Sequence, residues 1–345
     1  MPDADIPPAR HISIGFTTAA LAAAAATTIV LTVLAAVGAR SWIGQPFAGF
    51  FLRADRTIAA VGRAAWTDVA AGAVYDRTVL AVDGIRVLSA DDLHRRVAAK
   101  PVGSPIVYTL TDGATVATVT VPSRRFSATD YWAVFGAYAS SGLCWCLLAL
   151  AAAWALPNGG GRRALLLLGG IGGIYMASAA DLYPPAGSLR VHALAAAFLP
   201  AALLQFALVV GDVRGRFAAA ALPVVWAASL AAAAAMQLAI GDPAATRLAH
   251  ATCDAALGLA LVSATIGLAA RVQTLATDTP FLAGTALFGL GVPAVVYLLA
   301  GIRNGVPHNA GATLAFLFPL GMSFFLWRRA SAFAGASVAD PQRSL

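Results

Sequence analysis

"YDRTVLAVDGIRVLSADDLHRRV", residues 75–97, carries the local signals of a folded α/β unit. Val79–Val82 is a short β-rich run, Asp83-Gly84 is a strong turn signal, and Ile85–Val87 resumes the strand, so the stretch predicts a tight hairpin. Ser89 then stands where a helix cap belongs. Asp91 and Asp92 fall in the favourable first turn, and Leu93 and Val97 share one face. Downstream, Ile106–Leu110 and Val116–Val121 alternate as strands on either side of Asp112-Gly113. Strand, turn, strand, capped helix and closing hairpin make a small mixed α/β module.

The chain around this module has a different character. Of its 345 residues, 59% are hydrophobic and only 11% charged, which a soluble domain of this length does not show. Apolar runs at about 14–37, 132–155, 164–181, 191–210, 217–240, 250–270, 281–301 and 310–327 are each near the ~20 residues a spanning helix needs. The sequence therefore predicts an α-helical polytopic membrane protein of about eight spans, one plus seven, with the α/β domain inserted between the first and second. The expected segments are an N-terminus at 1–13, a first span at 14–37, the inserted domain at 40–127, a seven-helix bundle at 130–328 and a short tail at 329–345.

Orientation follows from arginine, because cationic residues near span ends are retained in the cytoplasm. Arg10, Arg162, Arg163, Arg214, Arg216, Arg271, Arg328 and Arg329 fall on one side, whereas the short loops opposite hold Arg190, Arg247 and Arg303. Both termini are expected inside and the inserted domain outside. Gly169, Gly170, Gly172 and Gly173 in one span, and Gly284, Gly289 and Gly291 in another, are expected to let helix backbones approach closely.

The composition also excludes chemistry. All sixteen acids are aspartate and Lys100 is the sole lysine, so a helical His-Glu-x-x-His zinc site cannot be built. Neither a metal nor a cofactor is expected, and no catalytic residue. The formal charge of +7 comes from arginines scattered through loops rather than clustered with aromatics, which argues against nucleic acid. Cys144, Cys146 and Cys253 lie in apolar runs and read as small buried hydrophobes.

The stretch "DVAAGAVYDRTVLAVDGIRVLSADDLHRRV", residues 68–97, resembles the bacterial form of the PDZ domain at Ala70, Ala71, Gly72, Asp76, Leu80, Val82, Asp83, Gly84, Val87, Asp92, Leu93 and Val97, and the likeness spans about 57–122. It departs from that pattern at Tyr75, where the family carries glycine. The resemblance implies capture of a peptide or protein C-terminus by strand addition, with backbone N–H groups holding the carboxylate. "IAAVGRAAW", residues 58–66, is the nearest candidate loop, with Gly62 for backbone freedom and Arg63 as an anion partner.

The layout as a whole, with "RVQTLATDTPFLAGTALFGLGVPAVVYLLAG" (271–301) and "LAFLFPLGMSFFLWRR" (314–329), resembles the N-terminal half of bacterial membrane sensor histidine kinases. Only "ASAFAGASVADPQRSL" follows Arg329, so the resemblance implies a sensor module without its kinase, whether stand-alone, one half of a split gene or a remnant. Its expected partners are membrane lipid, a peptide C-terminus and a separate cytoplasmic kinase. An envelope scaffold and a small-solute transporter are the competing functions. Within the bundle, His250 and Asp254 are four residues apart on one helix face, and with Arg190 or Arg303 they are expected to line an outward-facing pocket.

Overall fold

The computed structural model describes residues 9–63, 66, 74–180, 182–183, 188–211, 216–272, 279–302 and 308–339. A first helix, α1 (Ala9–Ala39), leads through Trp42 into the α/β module. The module contains β1 (Pro46–Phe47), β2 (Thr78–Val82), β3 (Ile85–Arg86), α2 (Ala90–Ala98), β4 (Pro105–Thr111), β5 (Val116–Pro122) and β6 (Arg124–Arg125). β3, β2, β4 and β5 form a four-stranded antiparallel sheet in that order, and β1 pairs with β6.

The local signals act as their chemistry requires. Asp83 and Gly84 have φ of 48° and 77°, so both central residues of the hairpin turn are left-handed, the conformation that Asp-Gly tolerates. The Ser89 side chain accepts the Asp92 N–H at 3.1 Å and caps α2. Between β4 and β5, the Asp112 carboxylate accepts the backbone N–H groups of Thr115 and Ala114, which hold its pKa well below the usual carboxylate range. Phe50, Ile58, Val79, Leu93, Val97, Ile106, Tyr108 and Leu110 fill a core that belongs to the module alone.

Among the described residues six helices are long and apolar enough to cross a membrane: α3 (Ala128–Ala155), α4 (Gly160–Ala180), α5 (Leu189–Val210), α6 (Arg216–Ala239), α7 (Pro243–Val272) and α8, which runs from Thr279 to Ile302. The fold is thus that of a polytopic helical membrane protein. α3 and α8 each contain a π turn, at Trp132–Gly136 and Leu287–Gly291. A short helix, α9 (Asn309–Ala312), precedes the final α10 (Leu317–Ala339).

Two boundaries differ from the hydropathy reading, because hydropathy follows apolar content and not the extent of backbone hydrogen bonding. α7 begins at Pro243 rather than near 250, since the polar Arg247 and His250 lie within its first turns. α10 starts at Leu317 and continues to Ala339, so the expected tail from 329 is helical at its start.

Glycine sets how closely α3 and α4 approach. A Cβ at Gly169 would sit 2.8 Å from the Ala149 nitrogen and the Trp145 carbonyl oxygen, and one at Gly172 would meet the Trp145 ring at 2.8 Å. At Gly170 nothing lies within 4 Å. Gly169→Leu is therefore expected to force the helices apart and lower the thermal midpoint of the full chain in detergent, whereas Gly170→Leu leaves it within a few degrees. Equal effects at both positions would contradict close packing as the role of Gly169.

Candidate functional site

The segment from Phe47 to Arg53 joins the module to the bundle by simple alternation. Ala48, Phe50 and Leu52 point into the module core, while Phe47 and Phe51 join the core that runs through the bundle. Phe51 stacks on Tyr183 with ring centres 4.3 Å apart and meets Phe135 edge-on at 5.4 Å. Arg53 continues the same side of the segment. Its side chain, 7% exposed, enters a cavity of about 50 Å³ between module and bundle.

The walls of this cavity are polar and come from both parts. Arg53 and Asp76 belong to the module; His192 of α5, His250 and Asp254 of α7, and His308 before α9 belong to the bundle, with Tyr138, Tyr175 and Tyr183 beside them. Arg53 Nη1 lies 2.9 Å from His250 Nε2. Guanidinium can only donate, so His250 accepts at Nε2 and its Nδ1–H donates to the Thr246 carbonyl at 2.7 Å, which fixes the neutral tautomer. His308 Nε2 lies 3.3 Å from the Asp254 carboxylate. Burial alone would lower the His308 pKa, but the Asp254 charge and hydrogen bond outweigh it and the pKa is raised. His192 stacks on Tyr175 at 4.6 Å, and the Tyr175 hydroxyl meets that of Tyr297 at 2.8 Å.

Three buried donors here lack a protein partner: Nε and Nη2 of Arg53 and the hydroxyl of Tyr183. Asp55 and Asp76 approach the Arg53 guanidinium only to 3.9 and 4.0 Å, beyond hydrogen-bond reach. Buried donors left without a partner are costly, and three of them border this one cavity.

His250 and Asp254, read from sequence as one pocket, do line this cavity together. The arginine beside them is Arg53, contributed by the module. Arg190 lies on the exposed rim instead, donating to Gln237 Oε1 at 3.2 Å while Gln237 Nε2 donates back to the Arg190 carbonyl at 2.9 Å. Arg303 lies outside the described residues. Arg53 and Asp76 were not legible as site residues. The one available signal was a charged side chain directly after the aromatic run "PFAGFFLR", residues 46–53.

Gly62 and Arg63 are engaged elsewhere. The Gly62 N–H donates to Asn309 Oδ1 at 3.3 Å, and Asn309 Nδ2 donates to the Gly62 carbonyl at 2.9 Å, while the His308 N–H donates to the Ala60 carbonyl at 2.8 Å. A Cβ at Gly62 would fall 1.8 Å from the Tyr75 hydroxyl, so a larger residue at 62 requires that ring to move. Arg63 Nη1 donates to Asp130 at 2.5 Å, and Trp66 Nε1 donates to the same oxygen at 2.9 Å. The other Asp130 oxygen completes a capping box with Ser127 at the start of α3. The segment around Gly62 and Arg63 therefore docks the module onto the bundle.

A shallow cleft between Phe47–Leu52 and α2 is lined by Trp42, whose ring packs on His94 at 4.0 Å. At the far side of the module, the β4–β5 turn rests on the start of α7: Arg247 pairs with Asp112 at 3.5 Å, and a Cβ at Gly113 would touch the Ala244 Cβ at 2.8 Å. Among the described residues no group of three or more His, Cys or Asp side chains is arranged to hold a metal. No protein-family model, curated protein or solved structure matches the chain.

The raised His308 pKa fixes the sign of a pH effect. The pair with Asp254 stabilises the fold fully below the ordinary histidine value of 6.5 and loses that contribution as pH rises through the higher folded-state value. Thermal melts of the full chain from mildly acidic to alkaline pH should show a stability loss on the alkaline side that His308→Gln removes. Arg53→Ala should cost about 3 kcal/mol at neutral pH, because it leaves buried partners uncompensated.

Proposed function

We propose that the chain is a non-enzymatic membrane sensor and signal-transducing module. In this reading eight helices span the membrane, one plus seven, the PDZ-like domain lies on the extracytoplasmic side, and both termini are cytoplasmic. Six strongly apolar helices, the two further long helices α1 and α10, and the arginines at 162, 163, 271, 328 and 329 support the arrangement.

The observation that carries the functional reading is Arg53. A charged side chain of the outer domain is buried in a cavity whose histidines and one of whose carboxylates, Asp254, belong to the bundle, and two of its donors are unpaired. A ligand that engages them has a different affinity for docked and shifted domains, which is the requirement for a conformational response. The Gly62–Asn309 clamp gives that response a path, since Asn309 opens the short helix leading into α10. A separate cytoplasmic partner, of which a kinase is the leading candidate, reads the far end of α10. Recruitment of a peptide C-terminus by strand addition is less favoured, because the cleft beside α2, walled by Trp42 and His94, holds only about 10 Å³.

Spin labels at Asn158 and Ser331, both exposed at the bundle end away from the domain, test this coupling in a background where the three cysteines are replaced. Arg53→Gln should shift or broaden the distance distribution between them. A distribution identical to that of the parent protein would reject transmission through the bundle.

A further inference from the structure

The cavity has an apolar neighbour. An open groove of about 320 Å³ runs between the end of α6 and the start of α7, lined by Ala232, Ala235, Ala239, Ala245, Leu248 and Ala249. α6 is the least covered of the six apolar helices, with 17% of its spanning window buried, and Leu238 and Leu248 stand exposed at the groove. In a membrane this face meets acyl chains. Met236 and Cys253 line both the groove and the polar cavity, and their sulphurs touch at 3.2 Å, so one layer of side chains divides them.

We infer that groove and cavity together form a site for a single-chain amphiphile with a small monoanionic oxygen head, a long-chain carboxylate, entering sideways from the bilayer. The tail lies between α6 and α7 and the head passes the Met236–Cys253 layer to reach Arg53. The inference rests on the proposed role of the seam as a ligand site and names the ligand class.

Three properties select this chemistry. Of the unpaired buried groups lining the cavity, Arg53 Nε and Nη2 can only donate and the Tyr183 hydroxyl can do so as well, so the ligand brings acceptors and an ammonium head has none to offer. The charged groups around the cavity are Arg53, with Asp55 and Asp76 beside it, and His308 paired with Asp254, while His250 is neutral and His192 lies against Tyr175. None of these carboxylates comes within hydrogen-bond distance of the guanidinium, so its free donors remain for a single anionic head, whereas a dianionic phosphate would face three carboxylates. At ~30 Å³ for each methylene-sized unit, about the volume of a water, the groove accommodates roughly ten carbons of tail.

The test uses the full chain in phosphatidylcholine nanodiscs and a diazirine-bearing dodecanoic acid. Saturable labelling of α6 and α7, displaced by dodecanoic acid but not by dodecanol or dodecylamine, is the expected result. Arg53→Gln should weaken it roughly ten-fold or more, as loss of charged hydrogen bonds does. Ala249→Trp fills the groove from the lipid side without touching Arg53, and should abolish labelling while the thermal midpoint is retained. Labelling that does not saturate, that ignores the groove-filling variant, or that dodecanol displaces equally would overturn the assignment. Saturable binding that leaves the Asn158–Ser331 distances unchanged would uphold this site and count against transmission. A shift on Arg53→Gln without carboxylate binding would do the reverse.

Discussion

The structure depends on one constraint, the alternation of side chains between two cores along one short segment. From Phe47 to Arg53 one set of side chains completes the module core, and the other set leaves it to pack on Tyr183 and Phe135 and to carry a guanidinium into the bundle. Side chains on either side of the bend at Gly49, whose φ is 82°, enter the two cores in turn, so seven residues serve both at once. A one-residue slip would exchange the sets, placing Arg53 in the module core and Phe50 and Leu52 in a polar cavity. That cost ties the register of the α/β module to the position of Arg53 among the bundle histidines.

The remaining contacts reinforce this register. Asp130 both caps α3 and receives Arg63 and Trp66, so the helix start and the docked segment share one carboxylate. Asn309 clamps Gly62 with two hydrogen bonds, and Asp112 holds Arg247 at the opposite edge. Contacts at separated points restrain rocking of the module as well as its separation.

Much of the fold was legible because its signals are local. Asp83-Gly84 and the Ser89 cap act within four residues, and the apolar runs mark their helices by composition alone. The site was legible only in part. His250 and Asp254 share a helix face, so spacing sufficed for them, but their arginine comes from a residue 197 positions earlier, and no periodicity connects the two. Gly62 and Arg63 read from sequence as a carboxylate-binding loop, but what they meet is set by Asn309 and Asp130 in other elements, which local sequence does not show. The helix boundary at Pro243 departed from hydropathy because polar residues can lie within a helix's terminal turns, and the one at Leu317 because the apolar run before it holds a separate short helix, Asn309–Ala312.

The Gly62–Asn309 clamp joins positions 247 residues apart. The α/β module therefore emerges from the ribosome long before its last docking partner exists. Its own core of Phe50, Val79, Leu93 and Tyr108 can assemble at that stage, but the aromatic side formed by Phe47 and Phe51 must wait for the later helices. During synthesis that surface is a temporary apolar patch, covered only once the later helices are in place.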